Sequence, residues 1–428
     1  MTNNKALVNY SALPKPAVGV AVTDPDFGVT IRRITDAQGS WGLNVAVPVY
    51  PTIAAWNADE SLLVLYATCY STCPTSAGWA LFDGKTYAFK QWLAINPADI
   101  EQFYWDHSNP NILYYVDYNT MVLTSFNVST GIGTAIHNFA NDIASGGALA
   151  SYCPSAWLVS GGEDPFFMSQ NNGVIGLGCA LTTTGPNGAT NFAGFTYTLP
   201  TSQLPNGSLS LPPITAEAVV PQATPSGNNA WFYGLTAPTS GQVLNTTNNG
   251  VVGTVAIDGT QHSDMLLNAA GKDVVAAAQY DGPGDNGSLI IGNLDTDTVT
   301  TIIGGNTGDP YPPSGTLISG RATGIPGWVV VSSTGNINVT QSYLDQEVML
   351  VNVDTMEMCR LAHDRTTGNW DNATTSNYWA QPNATPSPSG TRILFASDWG
   401  AATPGSSVTA NPNAVVDTYV IELPTYKP

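Results

Sequence analysis

The sequence predicts an all-β protein, a seven-bladed β-propeller whose last blade is closed by an N-terminal strand. Three observations lead there: a recurring turn followed by a β-rich run, about seven copies of it, and no long stretch of helical periodicity. The turns and the strands after them read NADE–SLLVLYA from Asn57, SNPN–ILYYVDY from Ser108 and QNNG–VIGLGCA from Gln170. They continue as SGNN–AWFYGLT from Ser226, NAAGKD–VVAAAQY from Asn268, IPG–WVVVSS from Ile325 and SPSG–TRILFAS from Ser387. Successive starts are 51, 62, 56, 42, 57 and 62 residues apart, room for about four short strands each.

Within a unit, a small-residue strand precedes the turn and a β-branched or aromatic strand follows it. Third strands read as GWALFDG or EVMLVNV, and fourth strands as YAFKQWL or VTTIIGG. Sheets that are apolar on both faces must be covered on both, which radial packing of blades achieves while leaving only short edges. In the last unit VDTYVIEL supplies the third strand, and GVTIRRITD from Gly28 adds the missing outer one. Residues 1–27 then form an N-terminal extension and 28–428 a single propeller domain. Two units strain the scheme. The third carries a Gly/Pro/Asn-rich insertion between Cys179 and Ile214, and the fourth reads as short of an outer strand, with GTVAIDG running on into the next blade.

Composition narrows the partners. The 428 residues hold 12 Lys+Arg and 31 Asp+Glu, 10% charged with a formal net charge of −19, where a soluble domain is usually about 25% charged. Without a basic surface, nucleic acid and anionic membrane are excluded as general partners. No apolar run reaches the length of a spanning helix, so no membrane insertion is expected. Few lysines, many Ser, Thr, Asn and Gly and a low pI point to an extracellular or cell-surface protein whose signal peptide is absent from this chain. The uncharged exterior also suits self-association. Of five cysteines, Cys69 and Cys73 are spaced to close a small loop and Cys153 and Cys179 to join neighbouring strands, leaving Cys359 free.

WNADESLLVLY, WDHSNPNILYYV and SPSGTRILFASDWG resemble the blade signatures of TolB-like propellers, particularly the oligogalacturonate-lyase-like group and related secreted bacterial propellers. Further matches are HSDMLLNAAGKDV from His262, SGRATGIPGWVVVS from Ser319 and YWAQPNATPSPSGTRILFASDWG from Tyr378. The resemblance covers nearly the whole chain and implies a carbohydrate-related propeller. In the lyase group several histidines and a glutamine near the channel hold a divalent metal, and an arginine assists at an acidic sugar. Here Gln381-Pro382 is present, but the position of a family histidine is Asn383. The implied metal set is incomplete.

Independently of that resemblance, three units place polar residues shortly before the turn, on innermost strands: His262 and Asp264, Ser319 and Arg321, Gln381 and Asn383. These converge on one mouth of the channel, a usual ligand position. With only six arginines in the chain, Arg321 is a candidate clamp for a uronate carboxylate. β-Elimination then requires a base, His262, and an acid for the leaving oxygen, Tyr378. Asp264, Ser319, Gln381 and Asn383 are the candidate ligand-binding residues. The alternative is an Arg321–Asp264 ion pair bridging blades, with the other polar groups holding blades together. His107 and His137 read as structural or exposed, and His363 with Asp364 and Arg365 as peripheral. Asp281, Asp285 and Asn286 offer hard oxygen ligands for calcium on one loop, and Trp56, Trp105, Trp370 and Trp379 offer sugar-stacking faces. Two functions follow: a uronic-acid polysaccharide lyase, or a non-catalytic lectin, cell-surface or self-assembling module.

Overall fold

The computed structural model describes residues 5–69, 73, 77–154, 156–160, 167–180, 192–211, 221–233, 241–248, 250–257, 262–279, 288–304, 307–309, 316–334, 342–367, 378–400 and 415–427. They form seven antiparallel sheets arranged as propeller blades. Blades one to six each contain four strands in chain order, within residues 45–92, 103–138, 158–210, 222–255, 263–303 and 316–363. Blade seven is built from both ends of the chain. Thr385–Pro386, Arg392–Ser397 and Asp417–Glu422 are its inner strands, Thr30–Arg33 pairs along Asp417–Glu422, and Ala21–Thr23 adds a fifth strand. That fifth strand lies inside the segment expected to be an extension. The fourth blade is a correction. Val251–Val255 is its own outer strand, paired antiparallel along Gly241–Asn245, so this stretch completes the fourth blade. Of the third unit's insertion, 181–191 and 212–220 lie outside the described residues.

Antiparallel alternation puts the inner hairpin turns on one face, the turn face, and the longer connections on the other, the loop face. The seven repeated turns found in the sequence form a belt around the turn face. Asn57 Nδ2 donates to Pro110 O at 2.8 Å, Asn172 Nδ2 to Asp106 Oδ1 at 2.9 Å, and Gln170 N to Pro225 O at 2.8 Å. The belt continues from Ser226 N to Asp273 Oδ1 at 2.9 Å, Gly327 N to Leu267 O at 2.8 Å, Gly324 N to Pro388 O at 2.8 Å, and Ser389 N to Glu60 Oε1 at 2.6 Å. Every seam between blades is thereby crossed. Turn residues of this kind recur because each must reverse the strand and also satisfy a neighbour's polar groups. Gly227 and Gly390 sit there at φ 76° and 66°, where a side chain would be strained.

Apolar contacts fill the seams above the belt. Leu266, Ala276, Ile318 and Val329 pack between blades five and six, and Val330, Leu350, Ile393 and Phe395 between six and seven. Cys153 and Cys179 form a disulfide at the start of blade three, as their spacing suggests. Cys69 and Cys73 do not. They remain thiols in hydrogen-bonded contact, with Cys359 also free.

Candidate functional site

A segment of blade one enters the channel. In blade one, Pro48 pairs with Leu65 and Trp56 with Leu63, so eight inner-strand positions face two on the partner strand. Residues 49–54 therefore leave the sheet and enter the channel, with Ile53 N closing a turn on Tyr50 O at 2.9 Å. Blades six and seven hold this plug. Ser319 Oγ of blade six donates to Pro51 O at 2.5 Å, Thr385 Oγ1 of blade seven to Ile53 O at 3.4 Å, and the two hydroxyls lie 3.3 Å apart. The Tyr50 ring lies 6.3 Å from the ring of His262 in blade five.

Below the plug, toward the turn face, sits Arg321, 2% exposed. Its Nε and Nη2 donate to the two oxygens of Asp264 at 3.0 and 2.6 Å, Nη2 also reaches Met265 O at 2.5 Å, and Nη1 donates to Tyr104 of blade two across the channel. Asp264 accepts in addition from Gly320 N at 2.6 Å and Met265 N at 2.7 Å. Burial pushes its carboxyl up to about 6 while the facing guanidinium opposes that rise. The sequence's alternative, a blade-bridging ion pair, is the arrangement present. All but one of the five guanidinium N–H groups are engaged.

Beside this pair is a cavity of about 50 Å³, lined by Trp56, Trp105, His107, Arg321 and Pro388 among others. His107 Nε2 is buried there without a hydrogen-bond partner. Burial, with the positive charge of Arg321, lowers its pKa to about 4, so the imidazole is neutral near pH 7. Sequence reasoning missed this proximity because His107 immediately precedes one of the ordinary turns, SNPN, and nothing local marks it.

The remaining candidates lie toward the loop face. His262 precedes its inner strand, its carbonyl accepts from Ala278 N, and its Nδ1 lies 2.6 Å from Thr316 O, five residues before Arg321. Burial lowers its pKa. Pro382 occupies the equivalent rung in blade seven, accepting from Ala396 N. Flanking it, Gln381 is 1% exposed with neither amide atom hydrogen-bonded, and Asn383 is 2% exposed with Oδ1 unpartnered at a φ of 42°. A non-glycine residue held in that region, with an unmet acceptor, is strained in the way functional positions often are. Tyr378, 37% exposed, begins the short 3₁₀ turn that leads to Gln381 and stands edge-on to Trp379, which stacks 5.9 Å from Tyr66. Burial, with Glu101 and Asp99 nearby, raises its pKa. Thus the structure unites Arg321 with Asp264 and sets Ser319 on the plug. His262, Gln381, Asn383 and Tyr378 stand at the other end, where His262 is held by Thr316 O and not in the Arg321–Asp264 cluster.

Metal chemistry finds little support among these side chains. Among the described residues no group of three His, Cys, Asp or Glu is placed to hold an ion. One imidazole beside a carbonyl and two amides do not fit an imidazole-rich divalent site. The calcium loop of Asp281, Asp285 and Asn286, and Trp370, lie outside the described residues.

No protein-family model matches the chain, and no curated protein matches it in sequence. Among solved structures, an oligogalacturonate lyase in complex with manganese superposes with a TM-score of 0.60 at 12% identity, over 95% of this chain and 96% of that one. The oligogalacturonate lyase of Vibrio parahaemolyticus gives 0.57 at 13% identity, over 96% of this chain and 100% of that one. These likenesses establish the architecture: the chain folds as a seven-bladed β-propeller of the shape that those lyases share.

Proposed function

We propose that this protein is a carbohydrate-binding propeller, acting outside the cell or at its surface, that holds a glycan at the loop-face end of the channel. The observation that carries this is Gln381, 1% exposed with both its donor and its acceptor unpartnered. A buried amide left unpaired costs about 1–3 kcal/mol, and a ligand hydroxyl that both gives and takes a hydrogen bond removes that cost. Asn383 adds a second acceptor, while Tyr378 and Trp379 supply aromatic faces for the apolar side of a pyranose ring. The Cys153–Cys179 disulfide supports an oxidising location. In this reading Arg321 positions blades and takes no part in ligand contact.

A second reading, β-elimination on a uronic-acid polysaccharide, draws support from His262, held neutral by burial, and from Tyr378, which retains its proton. They are the base and acid that reaction needs. Binding of neutral and acidic oligosaccharides, measured by calorimetry on the whole protein and on Gln381→Ala, tests the first reading. A loss of tenfold or more is expected, and unchanged affinity overturns it. Incubation with pectin-, alginate- and ulvan-type polymers, with and without divalent metal, tests the second. Rising absorbance of an unsaturated uronate, abolished by His262→Ala, establishes a lyase, and a flat trace on every polymer removes that reading.

A further inference from the structure

A second cavity lies away from the channel, on the rim where blade seven meets blade one. This groove of about 600 Å³ is bounded by Arg32, Lys85, Thr86, Tyr87, Glu422 and Tyr426, among others. Its three sources are the N-terminal strand, the outer turn of blade one and the C-terminal strand. We propose that it binds a monoanionic sugar residue, a hexuronate end of a glycan, at a site separate from the loop-face one.

The charges select the class. Ten of the chain's twelve basic residues form ion pairs with carboxylates. Lys85 forms none among the described residues, and its side chain is exposed at the groove. Arg32 is spent on Glu422, Nε and Nη2 each 3.0 Å from its two oxygens, and Nη1 donates to Gly19 O at 2.6 Å. Beneath, Arg392 pairs with Glu60 at 2.6 Å, and Asp83 at the turn's base has Lys90 at 3.6 Å. Once these pairs are cancelled, two basic residues remain, Lys85 and Lys427, and of the two Lys85 lines the groove. A molecule of net charge −19 repels polyanions, so the site suits a single carboxylate.

The walls are preorganised. Arg392 Nη1 donates to the hydroxyls of Tyr87 and Tyr426, both at 3.4 Å, and its guanidinium lies 5.9 and 4.6 Å from their ring centroids. Tyr87 is held at a φ of 60° by a turn in which Asp83 accepts from Lys85 N and Thr86 N at 3.1 and 2.9 Å. Arg392 Nε, buried, has no partner in the protein, so the cluster has hydrogen-bonding capacity left over. Fixed aromatic rings cost little entropy on binding, and a 600 Å³ recess holds one or two pyranose rings. Thr86 and Thr30 add hydroxyls for the ring's own.

The test is saturation-transfer NMR and calorimetry with D-galacturonate and D-galactose on the full chain, its Lys85→Ala variant and Gln381→Ala. Galacturonate is expected to bind about tenfold more tightly than galactose, the worth of one charge-assisted hydrogen bond. Lys85→Ala abolishes that preference, and added salt weakens it. Equal binding of the two sugars, absence of binding by galacturonate, or an unaltered preference in Lys85→Ala each overturns the proposal. A preference lost in Gln381→Ala and retained in Lys85→Ala assigns the acid to the loop-face site instead.

Discussion

Arg321 shows how far a residue's identity carries and where it stops. Its scarcity and its small-residue surroundings mark it as a buried, dedicated cation, and it is one. What it pairs with depends on Asp264, fifty-seven positions away, and chain order alone does not rank that carboxylate above a substrate's. Asp264→Asn leaves a guanidinium buried and uncompensated, and is expected to cost about 3–5 kcal/mol. The paired change Asp264→Leu with Arg321→Met should recover most of that in urea unfolding. A single-variant cost below about 1 kcal/mol would mean that the pair is not structural. His107 gives a pH signature. Its folded pKa of about 4 lies below the unfolded 6.5, so the unfolded chain binds more protons in that window. Stability from this group is complete above pH 6.5 and is lost as pH falls toward 4. Asp264 opposes the trend, because its folded pKa of about 6 favours the folded state on acidification. The decisive comparison is therefore Tm against pH for the protein and His107→Asn, the variant losing less between pH 6.5 and 4. Parallel curves would contradict the assignment.

At the scale of elements, the seven turns were legible because one set of residues performs two tasks, reversing a strand and tying it to the next blade. Such double duty repeats, and repetition is what a single sequence displays. The plug of blade one was not legible. VYPTIA carries no repeat, and only the six extra residues between Pro48 and the Trp56 bridge betray it. The outer strand of blade four was misread for a related reason: it follows a run of Asn, Thr and Gly that resembles a linker. Cys153–Cys179 spans 26 positions and secures the connection into blade three to its second strand. Cys153→Ser with Cys179→Ser should lower stability by about 3 kcal/mol, read as the shift in guanidinium midpoint at constant m-value. A change under about 0.5 kcal/mol would show that packing alone fixes that blade.

For the whole molecule, the ring closes where no covalent bond joins the blades. Thr30–Arg33 completes blade seven through Ile31, fully buried against Ile421, and through Arg32–Glu422 and Arg33–Asp417. The sequence exposed this latch plainly, since an orphan strand at one end and a missing one at the other have few alternatives. Ile31→Asp should destabilise by about 3–5 kcal/mol by burying an unpaired charge, whereas Val20→Asp, 50% exposed on the edge side, should change stability by less than about 0.5 kcal/mol. Equal urea midpoints for the two would mean that the ring holds without its latch.

The same latch sets a clock on biosynthesis. Arg32 and its partner Glu422 are 390 residues apart, so at about 5–20 residues per second the N-terminal strand waits roughly 20–80 s for its mate to emerge. Throughout that interval the nascent chain is an open arc of blades trailing an unpaired strand edge. Two ribosomes on one message bring such edges close together, and exchange of the first strand between sister chains becomes the characteristic assembly error of this molecule.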